Sequence, residues 1–408
     1  MNQLPEETLD QLGVPFCDEL DLEGPRARRR AIEFLRAETV NSGIIEMVGE
    51  GQIRFWHLTF QEHYCARALA EPGGDDWWTV IKNRLCDRQW TEVIDHLAGC
   101  LAWMGRRGLN SLAHRILEPA TADDLAATAR AVGVLGRLVR ILDVYDYQPP
   151  ARLHWDEVLE RAMAIFTLDG AGQVPVEQRI AAAEALGQGG DPRIKPLSPE
   201  MLPIRDMPGV LLAKYPVTVE EYGCFIENEG YEKPEYWGDG WSIRQERDWQ
   251  EPGGWDEQQE HPNRPVTDVS WFEAAAYCRW LSEVTKQQYQ LPSSDQWERA
   301  ALHPEGGDFP WGHAEPTPEL MNYKDSRVGH PSPVGIYPAG AASGGHLDMA
   351  GNVDEWTQSE HEEVGSLRVL RGGGWRVSAR SCRSAYRFRN SPDYRWNFLG
   401  FRLSRSEP

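Results

Sequence analysis

The chain is short of positive charge: 42 lysines and arginines stand against 63 aspartates and glutamates, a formal net charge of −21 over 408 residues. Phosphate backbones attract a basic field, so general nucleic-acid binding is excluded as a property of the whole chain. Cysteine is sparse too. The seven, Cys17, Cys65, Cys86, Cys100, Cys224, Cys278 and Cys382, are odd in number, scattered and without a CxxC pair. That argues against a disulfide framework or a zinc site and for reduced thiols in a cytoplasmic protein. No run approaches the roughly 18 apolar residues of a membrane span, and the acidic start MNQLPEETLD has no signal pattern. No Gly-rich loop ending in Gly-Lys-Ser or Gly-Lys-Thr is present to cradle nucleotide phosphates, so ATPase activity is not expected.

What is there divides in two. Residues 1–198 carry apolar residues at three- and four-residue spacing over Ala31–Ala37, Phe60–Leu69, Trp77–Leu85, Glu92–Met104, Ala122–Leu142 and Trp155–Phe166, which predicts an all-α domain. The stretch Lys195–Pro208 is rich in proline and breaks that periodicity, as a linker would. Residues 199–408 are dense in Trp and Gly with short segments, predicting a loop-rich α+β domain. Two of its helices have clear starts, Val219–Glu227 behind Thr218 and Trp271–Val284 behind Ser270.

The segment Ile45–Ala70 predicts a β-hairpin around Gly49 and Gly51 followed by an amphipathic helix. Its phrase Phe55, His57, Thr59, Phe60, Gln61, Glu62, Tyr64, Ala66, Arg67, Ala68, Leu69 resembles the winged-helix remnant just after the nucleotide-binding core of NACHT-type NTPases. Arg179–Pro192 resembles one unit of a HEAT-type repeat. The resemblance implies either the carboxy-terminal part of a larger signalling NTPase or a helical module without its motor. Coupling to an NTPase module is the partner it brings.

In the second half, Lys214–Thr218, Pro265-Val266, Val269–Trp271, Tyr277–Leu281, Leu291–Ser293, Trp297-Glu298, Pro310–Gly312, Ala350–Val353, Glu355-Trp356, Arg371–Gly373 and Gly400–Arg402 together resemble the formylglycine-generating-enzyme (FGE-sulfatase) domain. The resemblance implies a C-type lectin-like fold. The copper-dependent members of that family use two cysteines, and the corresponding positions here are Val377 and Cys382. Valine cannot ligate Cu(I), so the oxidase chemistry is not expected. The iron-dependent sulfoxide synthases take histidines from a helical bundle, but neither His57 with His63 nor His154 has their spacing. The resemblance also offers a structural Ca2+ on Asp348, Gly351, Val353 and Glu355, with no other cofactor required.

The stretch Arg368–Leu403 alternates a frame with a filling. Arg371, Gly372, Gly373, Trp375, Arg383, Pro392, Asp393, Gly400, Phe401 and Arg402 read as the frame. Between them sit Arg376, Val377, Ser378, Ser381, Tyr386, Phe388, Asn390, Ser391, Tyr394, Trp396, Asn397 and Phe398, side chains of the kind that make a paratope. This tail resembles the variable proteins of diversity-generating retroelements, which use the lectin-like fold to present a diversified surface. The resemblance implies a non-catalytic, cytoplasmic ligand-binding protein with a protein partner. The competing expectation is that Tyr386, Phe388, Trp396 and Phe398 alternate along strands and are buried.

Overall fold

The computed structural model describes residues 45–47, 53–55, 58–71, 76–120, 123–361 and 366–407. The helix expected over Ala31–Ala37 lies outside them. By its contacts the chain divides into residues 1–112 and 113–408. The boundary expected near residue 198 falls within the second unit.

In the first unit the expected hairpin is present: β1 (Ile45–Met47) pairs antiparallel with β2 (Ile53–Phe55), Ile45 opposite Phe55. Helix α1 (Leu58–Ala70) comes next and buries Ala66 and Ala70. Helix α2 (Trp77–Ile81) starts where expected, behind Asp76 as its cap, and is shorter at its end, the chain continuing from Lys82 in tight turns. Helix α3 (Thr91–Met104) buries Val93, Ile94, Leu97, Ala98 and Leu101, the spacing of one helical face. Helix α4 (Arg106–Leu117) contains the division between the units.

The second unit begins with α5 (Leu125–Ile141), α6 (Trp155–Ala162), α7 (Leu168–Ala171) and α8 (Val176–Gly189). Expected as one helix, Trp155–Phe166 changes to a 3-10 turn at Met163–Phe166. Helices α5 and α8 cross at glycines: a Cβ on Gly133 would overlap the backbone of Ala185, and one on Gly136 would meet the Gly189 carbonyl at 2.7 Å. Only glycine permits so close an approach.

Helix α8 is fastened to the C-terminal part of the chain. Arg264 Nε donates to Glu184 at 2.6 Å, and His261 Nδ1 lies 2.5 Å from the same carboxylate. Arg179 pairs with Glu319 at 2.8 Å, and Asn263 Nδ2 donates to the Ala183 carbonyl at 2.8 Å. These cross-links tie α8 to His261, Asn263, Arg264 and Glu319.

Two four-stranded sheets carry the C-terminal part. One has the order β3 (Met201–Pro203), β4 (Val210–Ala213), β10 (Ser404–Ser406), β5 (Tyr289–Gln290), so the chain end returns to the domain's start. The other has the order β8 (Phe388–Asn390), β7 (Arg368–Arg371), β6 (Asp354–Glu360), β9 (Leu399–Phe401), with β6 and β9 parallel. Between β4 and β5 lie α9 (Val219–Glu227), α10 (Gly240–Glu246), α11 (Trp255–Gln259) and α12 (Trp271–Thr285), and after β5 comes α13 (Ser294–Ala301). Thr218 and Ser270 cap α9 and α12 as expected, each in a reciprocal capping box with the glutamate three residues on. The main core is aromatic: Tyr222, Phe225, Trp237, Tyr277, Trp280, Trp356 and Phe401 are all buried, with Tyr222 and Tyr277 stacked at 5.4 Å. This core supports the second sheet, from whose edge the tail is presented.

Candidate ligand-binding face

Three arginines fix the tail, Arg402 and Arg371 buried and Arg395 half-buried. Arg402 and Glu355 are both inaccessible to solvent, and the guanidinium grips the carboxylate through Nε at 2.7 Å and Nη2 at 2.8 Å. Trp297 Nε1 donates to the same carboxylate at 2.7 Å. Arg371 donates to Ser294 Oγ at 2.9 Å and to the carbonyls of Ser384 and Tyr386 at 3.1 Å each, and pairs with Glu298. Arg395 takes Glu273 at 2.5 Å, beside Tyr231. Gly372 (φ 92°) and Gly373 (φ 70°) turn the chain after β7 in the left-handed region, where a Cβ on Gly373 would press on Cys382 Sγ at 2.9 Å.

Around this frame the filling stays at the surface. Arg376, Ser378, Tyr386, Phe388, Trp396 and Asn397 are exposed, and Val377, Ser381, Asn390, Ser391, Tyr394 and Phe398 are half-buried; none is buried. Phe388 is 50% exposed, whereas Phe401 is at 0%. The expected strand alternation is absent from 394–398, which turn without regular structure, and β8 spans only Phe388–Asn390.

The positions do not form one cluster. Tyr394, Trp396 and Phe398 make a chain of rings, with centroids 5.4 Å and 4.9 Å apart. The Arg376 guanidinium lies 5.2 Å from the Trp396 ring and 5.1 Å from that of Phe398. Tyr386, Phe388 and Asn390 belong instead to β8 and its approach. Val377 turns inward onto Phe309, Met321, Tyr323, Ala350 and Cys382, and Tyr394 leans on the main core. Of the frame, the Arg383 side chain is 46% exposed, its partner Asp308 lying at the surface, and the neighbouring Arg387 is 45% exposed between Asp295 and the half-buried Glu298.

In the expected Asp348, Gly351, Val353, Glu355 set, Glu355 does not fit Ca2+. Both oxygens of Glu355 are taken by Arg402, whose Nη2 also donates to the carbonyls of Leu347 (3.0 Å) and Asp348 (3.3 Å). The guanidinium thus already neutralises Glu355, and a second positive charge beside it would be repelled. Asp348 Oδ2 accepts from the Gly335 N–H at 2.7 Å, its Oδ1 is buried without a hydrogen-bond partner, and burial pushes its carboxyl up to about 6. Among the described residues no group of His, Cys, Asp and Glu converges on a metal position.

Cys382 is buried without a second thiol, and burial, with Asp354 nearby, pushes its own thiol up. Such a thiol is a poor nucleophile. Beside it a cleft of about 170 Å³ is lined by Asp308, Phe309, His313, Ala314, Glu315, Pro316, Ala379, Arg380 and Arg383. Sequence reasoning missed both this cleft and Asp354. The Pro310-Trp311-Gly312 turn was the available signal, since it carries the Phe309 and Trp311 rings, stacked at 4.9 Å.

A frame of buried arginine pairs carrying an irregular, exposed tail on an α+β core defines the class of fold, and sequence comparison then gives the family. Residues 190–407, more than half of the chain, match the sulfatase-modifying factor enzyme 1-like (FGE-sulfatase) domain, and the chain belongs to that family. It is 34% identical over 235 residues to a hercynine oxygenase of Mycolicibacterium thermoresistibile, covering 49% of this chain and 51% of that one. It is 29% identical over 245 residues to the inactive C-alpha-formylglycine-generating enzyme 2 of Mus musculus, covering 52% and 76%. The chain thus spans about half the length of the hercynine oxygenases it matches. Among solved structures it is similar to Treponema denticola variable protein 1 (TM-score 0.38, 21% identity, 51% of this chain and 92% of that one). It is also similar to PvdO from Pseudomonas aeruginosa (TM-score 0.38, 20% identity, 51% and 91%). Among the described residues no helix is long and apolar enough to cross a membrane.

Proposed function

We propose that this chain is a non-catalytic ligand-binding protein of the retroelement-diversified kind, whose FGE-type domain presents the tail's interleaved side chains to a protein partner. The observation that carries the reading is the difference in burial along the tail: of the frame, Arg371, Gly372, Gly373, Gly400, Phe401 and Arg402 are buried, Trp375, Pro392 and Asp393 half-buried and Arg383 exposed, while none of the interleaved positions is buried. Residues that specify a fold are buried, and residues free to change are not. Tyr, Trp and Phe supply large contact area at small entropic cost, with Arg, Ser and Asn as adaptable hydrogen-bonding groups. A lone, buried Cys382 with Val377 in the second thiol position supports the absence of copper oxidase chemistry. The helical half with its NACHT-like phrase is the element that would couple binding to an NTPase, in a reducing cytoplasmic setting.

Two experiments test this. The DNA flanking the coding segment for Arg368–Leu403 should hold a reverse transcriptase and a near-copy of that segment differing at adenines. Separately, a pool randomised at Arg376, Ser378, Tyr386, Phe388, Trp396 and Asn397 should stay folded and yield binders when panned against an unrelated protein such as lysozyme. A pool that largely fails to fold would refute the proposal. The second reading, an oxidoreductase acting on a thiol, is favoured by the hercynine oxygenase relatives. It requires metal-dependent oxygen uptake that disappears in Cys382→Ser.

A further inference from the structure

The proposed display face has a charge preference built into it. From Arg376 to Phe398 there are six arginines and a single acid, Asp393, in a chain whose net charge is −21. Three of the six arginines are neutralised locally, and so is the acid. Arg383 faces Asp308 at 3.3 Å, Arg387 faces Glu298 at 3.2 Å, Arg395 faces Glu273 at 2.5 Å, and Asp393 is covered by Arg247 at 2.8 Å. Arg389 lies 2.9 Å from His361 Nε2. Arg376 and Arg380 are exposed and, like Arg389, have no carboxylate in ion-pair range among the described residues.

Arg376 is held as well as unpaired. Its guanidinium carbon lies 5.2 Å from the Trp396 ring, 5.1 Å from Phe398 and 5.9 Å from Trp375. The rings are themselves anchored, since Trp375 Nε1 donates to the Asn397 carbonyl at 3.3 Å and the Trp396 carbonyl accepts from the Asp268 N–H at 2.9 Å. A guanidinium seated on aromatic faces keeps its N–H edge for a carboxylate and loses less rotamer freedom on binding than a free arginine. Arg380 lines the neighbouring cleft, but that cleft also contains Asp308, already paired with Arg383, and Glu315, so Arg376 is the stronger anion anchor.

Resting on the reading of this face as a binding surface, we propose that its partner is an acidic protein segment, with one carboxylate forked by Arg376 and apolar side chains laid on Trp396 and Phe398. A nucleic acid fits less well, because a long polyanion would extend beyond the patch into the field of a strongly acidic chain. A short acidic segment needs only the patch.

The test is panning the full chain against a phage library of random peptides, with Arg376→Gln and Arg376→Lys in parallel and thermal melts confirming that each is folded. Peptides selected on the wild type should be enriched in Asp and Glu. Arg376→Gln should bind the selected consensus about tenfold more weakly, a loss of about 1.4 kcal/mol. Arg376→Lys should keep the charge preference while losing part of the affinity. Selected peptides without acidic enrichment, or equal binding by Arg376→Gln, would overturn the proposal, as would displacement of the consensus by oligo-dT at lower concentration than by an acidic peptide. A folded randomised pool combined with non-acidic peptides sinks this inference alone; a pool that does not fold sinks the display reading beneath it.

Discussion

Replacing Phe388 by Ser should leave the protein almost as stable as it was, whereas replacing Phe401 by Ala should cripple it. The two phenylalanines lie in strands of one sheet, β8 and β9, and differ in exposure, 50% against 0%. Burying a phenylalanine completely is worth about 1.5–3 kcal/mol, so a half-exposed one contributes about 1 kcal/mol. Phe401 is packed against Tyr222 and Tyr277, with ring centroids 6.2 Å and 5.5 Å away, and truncating it also leaves a cavity. Large-to-small changes of that kind cost about 3–5 kcal/mol. Urea unfolding monitored by tryptophan fluorescence reads both as shifts of midpoint at constant slope. Equal losses for the two variants would mean that Phe388 is structural, and the division of the tail into frame and filling would fail with it.

Arg402→Met leaves Glu355 charged and buried with only Trp297 to satisfy it, which should cost about 3–5 kcal/mol and appear as a large drop in melting temperature. Asp354 gives a pH test: burial, with Glu355 adding to it, pushes its carboxyl from 3.8 up to about 7. The folded state then keeps a proton that the unfolded state has released, so the stability tied to this group is complete below about pH 4 and declines as pH rises toward about 7. Asp354→Asn cannot ionise, and its stability relative to wild type should climb across that window, by at most about 1.4 kcal/mol per pH unit; a flat difference would refute the assignment. Gly133→Ala should destabilise the α5–α8 crossing by about 1–3 kcal/mol, because the new methyl would meet the Ala185 backbone, and circular dichroism melts should show it.

The sequence by itself determined what is local. The capping boxes at Thr218 and Ser270 place two helices, because the cap and its glutamate are three residues apart and need no distant partner. The hairpin before α1 and the surface placement of Arg376, Ser378, Tyr386, Phe388, Trp396 and Asn397 were legible for related reasons: turn chemistry is local, and polar or mixed side chains between frame glycines make poor core.

Tertiary structure decided what depends on distant partners. That Glu355 faces Arg402 across 47 residues, and so is not free for the expected Ca2+, is a matter of β6 and β9 lying side by side. That Arg395 is neutralised by Glu273 while Arg376 rests unpaired on Trp396 and Phe398 cannot be read from a row of arginines, since each pair is made across a fold the local pattern does not contain. The same holds for α8, whose Glu184 is bound to Arg264 and His261 far along the chain and which therefore packs with the C-terminal domain. Local chemistry set the elements; the long-range pairing of buried charges set which side chains remain free to meet a partner.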